Sequence, residues 1–90
     1  MKRKESKSVR VAETLDMPLE VMCDFPKIEI IGNCKVFIEN FRGVLDYNEN
    51  CIKVNTTVGI AEIIGTEIII DSITDDEICL KGNFESMRFI

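Results

Sequence analysis

The chain contains no histidine. That removes the commonest general base, the commonest nitrogen ligand for a metal and the usual activator of a cysteine nucleophile. Its 4 cysteines are Cys23, Cys34, Cys51 and Cys79. Spacings of 11, 17 and 28 residues leave no CxxC pair. A structural zinc site draws on close-spaced Cys or His, so these residues are expected to be buried or half-buried free thiols, a disulfide pair being the alternative, with no metal and no other cofactor. No stretch approaches the roughly 20 apolar residues of a membrane-spanning helix. The most apolar run, Ile60 to Ile70, is interrupted by Glu62, Gly65, Thr66 and Glu67 and reads as strand–turn–strand. No apolar run follows the opening Met-Lys-Arg-Lys, so a chain without a signal peptide, in a reducing cytoplasm, is expected. There is no Gly-rich phosphate loop and no nucleophile–base arrangement to nominate, and a non-enzymatic protein is expected. A small hydrolase or ligand-binding enzyme is the remaining alternative, which a cleft with convergent glutamates would revive.

What is present points to one globular domain. Ninety residues that are 46% hydrophobic and 30% charged can build a single core. The net charge of -5 is split. Lys2, Arg3, Lys4, Lys7 and Arg10 against Glu5 give residues 1–10 a net of +4, so the other eighty carry -9. So acidic a body repels phosphates, and no nucleic acid partner is expected. Residues 1–14 read as a basic flexible arm. Its five cations suit weak, salt-sensitive contact with an anionic membrane surface, or simply solubilise the terminus.

Residues 15–90 read as a single β-rich domain. A short helix is expected at about 16–24: Asp16 suits the cap, Pro18 the first turn, and Pro26 stops the element. Leu15, Leu19 and Met22 would form its apolar stripe, packed on the domain or over one of its edges. From about Lys27 the period becomes two. Ile28/Ile30, Val36/Ile38, Ile52/Val54, Ile68/Ile70, Ile78/Leu80 and Met87/Phe89 alternate with other residues, and about eight strands are expected. The turn signals between them are Gly32-Asn33, Asn40 to Gly43, Asn48 to Asn50, Thr57 to Gly59, Gly65-Thr66, Asp71 to Asp76 and Gly82-Asn83. Short connections favour an antiparallel meander, rolled into a small barrel or folded into a two-layer sandwich. An echo of Glu29-Ile30-Ile31-Gly32 in Glu62-Ile63-Ile64-Gly65, and more loosely in Leu80-Lys81-Gly82-Asn83, keeps a short solenoid as a third possibility.

Asp75-Asp76-Glu77 lacks the alternate ligands of a cation loop and reads as a solvated turn. Glu29, Glu39, Glu62 and Glu67 mark wet strand faces.

Two stretches resemble a known family. They are Leu15-Asp16-Met17-Pro18-Leu19-Glu20-Val21 followed by Phe25-Pro26-Lys27-Ile28, and Ile38-Glu39-Asn40-Phe41-Arg42-Gly43-Val44. Together with the Ile/Gly-rich strands they resemble the YabP/YqfC family of sporulation proteins over about residues 15–90. The resemblance implies a small protein of an endospore-forming bacterium, made in the mother cell, with a membrane-embedded sporulation protein as partner. It supplies no catalytic residue. The family pattern often places a His where this chain has Phe41, so a His-dependent role there would be absent. Glu39, Asn40, Phe41, Arg42 and Gly43 are the candidate partner-binding residues. The same segment also reads as a structural turn, in which Gly43 takes a positive φ, Asn40 bonds local backbone and Arg42 pairs with a carboxylate such as Glu39. The functional expectation is therefore protein–protein contact. The alternative is a self-assembling module built on open strand edges, which would make a homo-oligomer.

Overall fold

A computed structural model describes residues 24–90. The arm 1–14 with its five cations, Cys23, and the helix expected at about 16–24 up to residue 23 lie outside the described residues; Asp24 itself is not helical.

Six strands alternate along the chain: β1 Lys27–Ile31, β2 Lys35–Glu39, β3 Gly43–Asn48, β4 Cys51–Thr56, β5 Gly59–Ile73 and β6 Glu77–Phe89. They form one sheet in the order β1-β2-β6-β5-β4-β3, and every pair is antiparallel. The expectation of a β-rich domain thus holds, with two corrections. The sheet does not close into a barrel, because β1 and β3 are its two edges. Nor is it a simple meander, since β6 returns to pair with β2 (Val36 opposite Leu80, Ile38 opposite Ile78). All-antiparallel pairing excludes the solenoid.

Six strands replace eight because two expected turns are bends within long strands. β5 and β6 form a hairpin whose register shifts between Ile64 and Gly65, between Thr66 and Ile69, and between Ile70 and Ser72. Gly65-Thr66 and Gly82-Asn83 sit at these irregularities. Here the two backbones approach so closely that a Cβ on Gly65 would run into the Asn83 carbonyl, and one on Gly82 would come within 2.9 Å of the Ile68 Cα. Bulges bend and twist a ladder instead of ending it. β4 and β3 extend the Gly59–Ile64 half of β5, while β2 and β1 extend the Glu77–Lys81 half of β6.

The sheet is also curled, for a reason that the connection between β2 and β3 makes plain. Three strands separate these two in the sheet, so in a flat sheet they would lie about 19 Å apart. Only residues 40–42 join them, and four Cα steps reach at most about 14 Å. The curl brings both wings onto one core: Val36 and Ile38 from β2, Ile78 and Leu80 from β6, Ile52 and Val54 from β4, Ala61, Ile63 and Ile68 from β5, and Phe41 from the connection.

Outside this core the strands carry charge. Glu62 lies opposite Lys53 on one side and Arg88 on the other. Its carboxylate accepts from Arg88 Nε at 2.7 Å and lies 4.0 Å from Lys53 Nζ. Glu62 was expected on a wet face, but it is buried. The flanking Arg and Lys stems cover it while their charges satisfy it.

Candidate functional site

Residues 39–43 form a strap between the wings. The Asn40 amide donates to the Asp76 carbonyl at 2.7 Å, in the turn between β5 and β6. The Arg42 amide donates to the Asn55 carbonyl at 2.7 Å, on β4. Gly43 has φ 151°, the positive φ expected of it, and Asn40 is left-handed as well at φ 62°. Asn and Gly tolerate that region best.

Each side chain of the segment has a definite place. Phe41 is 7% exposed and packs in the core. Asn40 Nδ2 donates to the Phe25 carbonyl at 3.0 Å. Arg42 does not pair with Glu39. Its Nη2 meets Asp24 Oδ2 at 2.6 Å, and the pair is solvent-exposed. The Asp24 carbonyl in turn accepts from Thr57 Oγ1 at 2.7 Å. The strap therefore ties Asp24 and Phe25, the lead-in to β1, to both wings. The sequence offered no signal for Asp24, because a contact across eighteen positions leaves no local pattern.

Chemically this is a clasp. Its exposed polar features are one guanidinium, one carboxylate and backbone. Glu39 ends β2 between Lys27 and Glu77, Glu29 lies on β1, and Glu67 occupies a left-handed residue in the β5 bend (φ 54°). Among the described residues no three Cys, Asp or Glu side chains gather as a metal site. Among the described cysteines, Cys79 is buried and Cys51 half-buried, whereas Cys34, expected to be at least half-buried, is exposed. Asp75 and Asp76 lie in an exposed turn in which Thr74 Oγ1 bonds Asp76 and the Glu77 backbone.

A second feature went unread in the sequence. An open cleft of about 320 Å³ lies between the β1–β2 hairpin and the last part of β6. Ile30, Val36, Ile63, Phe84 and Met87 line it, with Glu85 at its rim. The alternation of Met87 and Phe89 had marked a strand. Nothing local showed that the strand would outrun its neighbour β2.

Comparison with known proteins bears on the whole chain. The family model described as the YabP family matches residues 25–90. The YqfC protein of Bacillus subtilis (strain 168) is 32% identical over 88 residues, covering 98% of this chain and 95% of its own length. No solved structure matches.

Proposed function

The chain belongs to the YabP family, and on that premise we propose that it is a non-enzymatic sporulation protein of an endospore-forming bacterium. It acts by protein–protein contact at the mother-cell side of the forespore membrane, with a membrane-embedded sporulation protein as partner. Family membership is the observation that carries this reading. The scatter of the carboxylates supports contact over chemistry: Glu62 is committed to Arg88 and Lys53, and Glu29, Glu39 and Glu67 sit on separate elements. No helix among the described residues is long and apolar enough to cross a membrane. In this reading Lys2, Arg3, Lys4, Lys7 and Arg10 make the weak membrane contact, each contributing about 1 kcal/mol near an anionic surface.

The test is deletion in a spore-forming host combined with affinity capture from sporulating cells, using chains with and without residues 1–14. Fewer heat-resistant spores and a captured sporulation protein are expected. Unchanged spore yield with nothing captured would overturn the proposal. Self-assembly is the second reading, favoured by exposed Ile30, Ile31, Leu45 and Tyr47 on the edge strands β1 and β3. Light scattering that shows a strict monomer at high concentration would remove it.

A further inference from the structure

The last part of β6 is an edge that no described strand completes. Ile60 and Ile90 exchange both backbone bonds, at 3.2 and 2.8 Å. In an antiparallel ladder bonded and non-bonded pairs alternate. Glu62–Arg88 and Ile64–Ser86 are therefore bonded pairs, and Met87 and Phe89 turn their N–H and C=O groups away from β5. On that far side β2 accompanies β6 only from Glu77 to Lys81. The Cys34 and Asn33 carbonyls then take the amides of Gly82 and Phe84, at 3.2 and 2.8 Å. Beyond Phe84 the far side of the ladder is open among the described residues.

The cleft adjoins this open edge. Met87 and Phe89 stand opposite Ile63 and Ala61, so their side chains share the inner face of the sheet with the core. Phe89 is nevertheless 45% exposed, and Ile30, which lines the cleft together with Met87, is 54% exposed. The other two edges are partly guarded against pairing, for all their exposed apolar side chains. β1 is entered through Pro26 and Lys27, and β3 is bulged at Leu45 before Asp46. Phe84 to Ile90 holds no proline, and its one cation, Arg88, is committed to Glu62.

We propose that the Glu85–Phe89 edge, with the apolar cleft beside it, is a strand-addition site for an extended segment of a partner protein that is apolar at alternate positions and basic between them. The open N–H and C=O groups of Met87 and Phe89 bond the added backbone. Its residue opposite Met87 projects into the cleft, which is how strand addition combines main-chain affinity with side-chain selection. Charge selects the partner class. Residues 24–90 hold 12 acidic against 6 basic side chains, a net of -6. Exposed Glu85 has no ion-pair partner among the described residues. A second copy would bring the same negative body, whereas a basic strand is attracted. The inference rests on the reading that this protein works by protein–protein contact, and names the surface.

The test titrates the full chain, labelled with ¹⁵N, with a synthetic heptapeptide of alternating lysine and valine. Saturable shifts and slowed exchange at the Met87 and Phe89 amides are expected. Phe89→Pro removes a donor that β5 does not use, so it should weaken binding at least tenfold with little change in Tm. Glu85→Lys should weaken the lysine peptide at least threefold and strengthen its glutamate–valine counterpart; it decides the matter alone if Phe89→Pro does not fold. No saturable shift, or binding untouched by Glu85→Lys, overturns the proposal. So does protection of both amides without peptide: at every concentration the occupant is the chain itself, and only at high concentration it is a second copy. Normal sporulation in the Phe89→Pro strain would reject this surface and leave the contact function standing. Peptide binding in a protein whose deletion leaves sporulation intact would reject the function and leave the surface standing.

Discussion

Arg42 and Gly65 show how differently single residues matter in this sheet. The Arg42–Asp24 pair is short but solvent-exposed on both sides, and exposed pairs contribute about 0–1 kcal/mol. Arg42→Ala should therefore lower the urea midpoint only slightly, and an Arg42→Ala, Asp24→Ala double-mutant cycle should return a coupling inside that range. Glycines give the sharper contrast. Gly43 sits at φ 151° with open space where a Cβ would go, so Gly43→Ala strains only the backbone, at about 1–3 kcal/mol. Gly65→Ala drives a methyl into the Asn83 carbonyl across the ladder. Overpacking of this kind costs about 1–3 kcal/mol or more, because the obstacle is main chain and not a flexible side chain. Equilibrium unfolding of the two variants should rank Gly65→Ala as the more damaging. Gly43 was legible in the sequence because a glycine after Asn-Phe-Arg suggests a turn of positive φ. The partner of Arg42 was not legible: Glu39 is its near neighbour in sequence, but β2 directs that carboxylate elsewhere, and only the folded lead-in brings Asp24 within reach.

Strand interiors were the most legible elements. The alternating pairs Val36/Ile38, Ile52/Val54 and Ile78/Leu80 all enter the core, because a period of two places alternate residues on one face wherever the strand happens to lie. Strand ends were less legible. Gly65-Thr66 and Gly82-Asn83 have the composition of turns, and only their mutual close approach makes them bends of one hairpin. The same limit hid the open edge of β6, since the length by which one strand outruns another depends on pairing far along the chain. Within β5, burial separates neighbours of like chemistry. Ile63 is fully buried, whereas Ile69 is 51% exposed. Ile63→Ala should cost about 2–5 kcal/mol, and Ile69→Ala well under half as much. Denaturant titrations of both variants, with equal slopes, would show that the difference lies in packing and not in the unfolded state.

At the scale of the whole molecule, four of the five pairings join consecutive strands, and the fifth closes a long loop of chain. β2 pairs with β6 across all of β3, β4 and β5, so that Val36 meets Leu80. Such non-local topology makes folding slow for the size of the chain, in the range of milliseconds to seconds. Stopped-flow refolding should fall there, and microsecond folding would contradict this order of pairing. Residues 40–42 have a larger part in this than their length suggests. Every strand pairing could persist if the chain were severed within them, because none of the five ladders passes through the strap. The two wings would then stay joined through the β5–β6 hairpin, with only side-chain contact to keep them folded onto each other. A single proteolytic nick there would convert a rolled sheet into one able to swing open like a book, presenting its apolar pages to the solvent while its spectroscopic β content stayed nearly the same.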